Sequence, residues 1–180
     1  MKAKCHNMEK KEAVFSNQYL CGGKIIESFI PTCEEDGFTL LQRKRGIRLI
    51  FAGLEPKLDW FPVPCFWVFA TDEKGGAFAH REGKLENSPI YYVSSENKCW
   101  YLAKNFREFV RLVIFAPEWV EKATGKKCDF SEETKEERAK MGMVFGLEPP
   151  KTDLLEVVKE AEEIRIFDSQ AEAEAEYELL

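Results

Sequence analysis

The chain is predicted to be an α+β protein: a mostly antiparallel sheet flanked by helices, with a helical acidic extension at its C-terminal end. Three observations predict this. Short apolar runs separated by tight turns fill the middle of the chain, a helical apolar stripe follows them, and the charge changes sign in the last third. Runs joined by turns of a few residues require antiparallel pairing, because a parallel neighbour needs a long crossover.

In chain order, residues 1–20 are polar and irregular and are expected to form a flexible N-terminal arm. Gly22-Gly23 marks a turn, and 24–30 is a short strand stopped at Pro31. An acidic turn at 33–37 follows. Residues 38–42 and 47–52 read as two strands around the basic stretch Arg43-Lys44-Arg45-Gly46. A proline-interrupted connection covers 55–64. The continuous apolar run 66–70 has the character of a strand covered on both faces. Asp72-Glu73-Lys74-Gly75-Gly76 is a turn whose glycines supply positive backbone angles. Strands at 77–80, 90–93 and 99–102 alternate with turns at 82–88 and 94–97.

A helix comes next. Asn105 and Glu108 have the spacing of a capping box. Phe106, Phe109, Val110, Val113 and Ile114 form one apolar stripe, with Arg107 and Arg111 on the polar side. Residues 129–141 and 152–166 read as charged helices separated by a break at 146–150, and 171–180 is a low-complexity acidic tail.

A hydrophobic fraction of 44% and an aromatic fraction of 13% support a packed core, placed in 51–130 with Trp60, Trp67, Trp100 and Trp119. Residues 1–130 carry 20 basic and 17 acidic side chains (+3), and residues 131–180 carry 6 and 15 (−9), which sum to the net −6. Such an acidic end repels phosphate backbones, so direct nucleic-acid binding there is not expected. It suits either a basic protein partner or a solvated face. No apolar stretch reaches the roughly 18–20 residues of a membrane span. No apolar region follows Met1-Lys2-Ala3-Lys4, so the expected location is cytoplasmic. Cys5, Cys21, Cys33, Cys65, Cys99 and Cys128 include no Cys-x-x-Cys pair and read as reduced thiols.

The residues offer little chemistry. His6 stands beside Cys5 in the polar arm, and His80 ends a strand, where a partly buried histidine is commonplace. No nucleophile elbow, phosphate-binding glycine loop, dinucleotide fingerprint or zinc-protease motif appears. The acidic pairs in Glu34-Glu35-Asp36, Asp72-Glu73 and Glu162-Glu163 read as surface charges. Neither catalysis, a cofactor nor a metal is expected. Arg43, Lys44, Arg45 and Arg48 form one basic cluster, either an anion contact or a solvated hairpin turn.

The stretch 67–113 resembles the SUKH superfamily, which includes the Smi/Knr-type regulators of fungal cell-wall synthesis and many bacterial immunity proteins. The resemblance rests on the strand, acidic glycine-rich turn and strand of Phe69-Ala70-Thr71-Asp72-Glu73-Lys74-Gly75-Gly76-Ala77-Phe78-Ala79. Pro89-Ile90-Tyr91-Tyr92-Val93 matches the family's next strand. Tyr101-Leu102-Ala103-Lys104-Asn105-Phe106-Arg107-Glu108-Phe109 matches its helix entry. The resemblance implies a domain over 21–128; the residues themselves add a helical extension (129–168) and an acidic tail (169–180), which have no counterpart in the family. It also implies a non-catalytic protein that binds a partner, foremost an immunity protein neutralising a nuclease toxin. Asp72, Glu73, Tyr91, Tyr92 and Trp100 are then the candidate partner contacts. Two alternatives stay open: a regulatory scaffold with a docking tail, and an enzyme acting on a small anion through Arg43, Arg45 and Arg48.

Overall fold

The computed structural model of the protein describes residues 24–29, 37–81 and 83–179. The expected arm, the Gly22-Gly23 turn, Cys5, Cys21, Cys33, His6 and Glu34-Glu35-Asp36 lie outside these residues. One sheet contains β1 (Lys24–Ile26), β2 (Arg48–Leu49), β4 (Phe66–Thr71), β5 (Ala77–His80), β6 (Ile90–Val93), β7 (Cys99–Ala103) and β8 (Lys159–Glu160). Their order is β1-β4-β5-β6-β7-β8, with β2 also paired to β4. The β1–β4 ladder is parallel and the others are antiparallel. A separate ribbon joins β3 (Phe61–Val63) to β9 (Arg165–Phe167). The helices are α1 (Gly37–Arg45), α2 (Phe106–Phe115), α3 (Trp119–Thr124), α4 (Lys135–Val144) and α5 (Gln170–Tyr177). The architecture is α+β, as the pattern of runs and turns predicts.

From β4 to α2 the expected elements stand where the residues place them. The side chains of β5 and β6 are buried throughout, because both faces of the sheet are covered. On one face Phe69, Phe78, Tyr92 and Leu102 pack against Phe106, Phe109, Val110 and Val113 of α2. Phe109 meets Phe69 edge-on at 6.0 Å, a favoured approach for two rings. On the other face Phe66, Val68, Tyr91 and Val93 pack against Ile50, Trp60, Ala161 and Ile164. Each fully buried side chain of this size contributes about 1.5–3 kcal/mol before entropy is counted. The Asn105 side chain caps α2 by accepting the Glu108 N–H at 2.9 Å, while the Glu108 carboxylate accepts from Arg111, so the cap forms without the reciprocal half of the expected box.

Five segments depart from expectation. Residues 38–42 are helical, as the first turns of α1. Leu41 and Arg45, four apart, face inward, and Gly46 (φ 66°) ends the helix with its N–H donating to the Gln42 carbonyl. A glycine read as a hairpin turn is thus a helix stop. The helix expected from 129 begins at Lys135, because Thr134 and Glu137 form a reciprocal capping box. Residues 152–166 are a 3-10 turn (Leu154–Val157), then β8 and the start of β9. Finally, 55–64 includes β3, and the acidic tail forms α5, whose Tyr177 hydroxyl donates to the Pro62 carbonyl at 3.1 Å. The C-terminal third therefore packs on the sheet. Among the described residues no helix is long and apolar enough to cross a membrane.

Candidate functional site

The acidic turn between β4 and β5 is tightly built. Asp72 Oδ1 accepts the N–H groups of Lys74 (2.9 Å) and Gly76 (2.7 Å), and Oδ2 accepts the Tyr92 hydroxyl at 2.7 Å. The carboxylate is committed to holding its own turn. Burial, then the Asp72 charge and hydrogen bond, push the Tyr92 phenol well above its ordinary pKa, keeping it a neutral donor. A side chain at position 76 would meet the Tyr92 ring, since an added Cβ would lie 2.2 Å from Oη. Gly76 is there so that Tyr92 can reach Asp72. Glu73 is exposed, and its carboxylate accepts from Arg48 at 2.6 Å.

The other predicted contacts do not converge. Tyr91 and Tyr92 are adjacent in β6 and point to opposite faces, both buried. Trp100 is half-buried across from Tyr92, its indole N–H buried with no acceptor among the described residues. Of the five, Glu73 alone is exposed, and Tyr91 and Tyr92 are buried.

Nor is the basic cluster a common anion site. Arg45 is buried. Its guanidinium donates to the carbonyls of Val113 (2.6 Å), Ile114 (3.1 Å) and Lys44 (2.7 Å), and to both Glu133 oxygens at 2.9 and 2.7 Å. It also lies 4.9 Å from the centre of the Phe130 ring. Arg138 repeats the device one residue further along α2, donating to the Phe115 carbonyl at 3.1 Å and to Glu118 at 2.6 Å. Two arginines thereby satisfy carbonyls at the C-terminal end of α2, where the helix dipole favours positive charge. Arg43 and Arg48 are exposed, Arg48 being paired with Glu73. A recess of about 70 Å³ lies beside this network, lined in part by Arg45, Asp72, Phe78, Trp119 and Cys128. It has room for a few waters and not for a drug-sized substrate.

His80 is fully buried. Its Nε2 lies 2.7 Å from Glu27 Oε2, and its Nδ1 lies 2.6 Å from the Arg81 carbonyl oxygen. Fifty-three residues separate Glu27 from His80, so no local spacing could reveal the pair. Cys99 and Cys128 are buried, and burial raises both thiols above their ordinary pKa, which leaves them poor nucleophiles.

Several exposed carboxylates late in the chain form no ion pair among the described residues. Glu160, Glu162 and Glu163 follow one another around the end of β8, and Glu172 and Glu178 stand on or beside α5. The acid pair 162–163, read from sequence as surface charge, is indeed exposed. Comparison of the chain with family models, with curated proteins and with solved structures finds no match.

Proposed function

We propose that this chain is a non-catalytic, cytoplasmic protein-binding domain: a bacterial immunity protein that neutralises a nuclease toxin of a polymorphic toxin system. The observation that carries the reading is the continuity of the SUKH-like elements. The quoted residues make up β4, its Asp72 turn, β5, β6, the end of β7 and the entry to α2, which follow one another along the chain and fill both buried faces of the sheet. The exposed carboxylates Glu160, Glu162 and Glu163 support the same reading. A nuclease presents a basic cleft shaped for phosphate, and unpaired acidic side chains steer association with such a surface. The contact surface in this reading moves from the Asp72 turn, whose charges are spent internally, to the acidic end of β8.

The test is a panel of inactive nuclease toxin domains passed over the immobilised protein at about 0.15 M salt, where the screening length is about 8 Å. Capture of one toxin domain is expected, with association slowed roughly tenfold by Glu160→Lys, Glu162→Lys and Glu163→Lys together. Failure to retain any member of the panel overturns the immunity reading. Capture of a cell-wall-synthesis complex, lost on removal of residues 170–180, would put the regulatory scaffold in its place.

A further inference from the structure

Arg81 carries a charge that the fold leaves unused. It directly follows β5 and is half-buried, and among the described residues its guanidinium forms neither an ion pair nor a hydrogen bond. A guanidinium taken partly out of water loses hydration, which an acceptor normally restores. The main chain at this point is fixed, since the Arg81 carbonyl oxygen lies 2.6 Å from His80 Nδ1. The side chain therefore starts from a held position.

The strand register places Tyr91 beside it. Ala79 stands opposite Tyr91, and strand residues two apart share a face, so Arg81 is the diagonal neighbour of Tyr91. Phe66 packs on the Tyr91 ring at 5.2 Å, and Tyr101 meets it edge-on at 5.7 Å. These rings leave Tyr91 only 5% exposed, yet its hydroxyl has no hydrogen-bond partner among the described residues and is not sealed from solvent. The charges agree with this placement. Burial raises the Tyr91 phenol most, the Glu163 carboxylate adds to that, and the Arg81 guanidinium opposes both. The Arg81 charge opposes burial at Tyr177 as well, whose hydroxyl is already spent as a donor to the Pro62 carbonyl.

These groups define what can bind. Arginine offers N–H donors and no acceptor, and the neutral Tyr91 phenol offers an O–H, so the ligand must present acceptors. One positive charge with the Glu163 carboxylate in its surroundings suits a single negative charge and disfavours a dianion. A planar carboxylate matches the guanidinium fork through two parallel hydrogen bonds, and one of its oxygens remains able to accept from Tyr91. We propose that Arg81 and the Tyr91 hydroxyl form a binding site for a carboxylate group, on the sheet face opposite the one that α2 covers. The site goes beyond the partner-binding reading and does not depend on it.

Titration of the intact protein with acetate, followed by NMR, tests it. At about pH 7, with ionic strength held at about 0.15 M by sodium chloride, acetate should shift the Arg81 Nε–H signal and the amides of β5 and β6 saturably. Half-saturation is expected at about 10 mM, the strength of one charge-assisted pair at a partly wet site. Arg81→Gln should abolish the amide shifts. Tyr91→Phe keeps the ring and should weaken binding about fivefold, a test that stands by itself should Arg81→Gln not fold. Inorganic phosphate at about pH 8, mostly a dianion, should bind more weakly than acetate. N-acetylglutamate N′-methylamide separates two sources of the carboxylate. Tighter binding than acetate assigns it to an acidic side chain of a protein, and equal or weaker binding assigns it to a small free acid. A shift that never saturates, one that persists in R81Q, an unchanged affinity in Y91F, or phosphate binding above acetate overturns the site.

Discussion

Arg45→Ala should be among the most damaging single substitutions in this chain. The change removes donors from the Val113 and Ile114 carbonyls, from Lys44 O and from both oxygens of Glu133. A buried carbonyl left without a donor costs about 1–3 kcal/mol, and breaking a buried pair by removing one member costs about 3–5 kcal/mol in all. Glu133 is partly exposed, its side chain at 21%, so water can compensate it and the lower part of that range applies. We expect a loss of about 3 kcal/mol, a large share of the roughly 5–15 kcal/mol that holds a typical domain together. Arg45→Met keeps the packing of the stem and should lose less. Glu133→Gln leaves the two helix carbonyls satisfied and should cost about 1 kcal/mol. Urea unfolding followed by tryptophan fluorescence measures all three, and the R45A/E133Q double mutant measures the coupling of the pair. Should Arg45→Ala cost less than about 1 kcal/mol, the claim that this guanidinium joins α1 to the end of α2 is refuted.

Two other outcomes follow from the same structure. Stability should fall on the alkaline side: burial pushes Tyr177 up to about 12 and raises Tyr91, Tyr92 and Tyr101 as well. The fold keeps protons that the unfolded chain releases at about pH 10, so it binds more protons than the unfolded state and loses stability as pH climbs past that value. Tyrosinate absorbance should then appear together with the loss of tryptophan packing; ionisation of all five tyrosines in the folded protein near pH 10 would contradict it. Gly76→Ala should destabilise by about 1–3 kcal/mol, because the Tyr92 ring that it strikes is pinned by Asp72 and by Phe78 and Trp119; thermal unfolding indistinguishable from that of the unmodified protein would disprove the clash.

How much of this was legible in the sequence depended on whether the deciding contacts were local. β4 to α2 could be read because short apolar runs, turn glycines and the Asn105 cap all act within a few residues. Helix α1 could not, because 38–42 is too short to separate a strand from a helix by its period, and Arg45 finds its partners near 113 and 133. In 152–166 the buried Val158, Ala161 and Ile164 imitate a helical stripe by their spacing of three. In the structure the same spacing comes from β8 and the turn after it, where the Ala161 N–H donates to the Cys99 carbonyl. The candidate contacts carried their own warning: Tyr91 and Tyr92 are neighbours in a strand, and side chains with a period of two cannot share a face. Asp72 looked like an exposed acid because nothing local shows that a tyrosine twenty positions away will claim it.

The late arrival of β8 has a consequence for synthesis. On a ribosome, β4 through β7 can pair by short hairpins as soon as they emerge, but the outer edge of β7 stays uncovered until Lys159 and Glu160 follow some sixty residues later. The ribbon waits still longer, since Phe61 must hold its place for Phe167. During that interval the nascent chain presents an open ladder edge beside its aromatic core, the state in which strands of neighbouring chains join. A translation pause in the α3–α4 region would lengthen that window, whereas the two residues that close it do so without adding anything to the core.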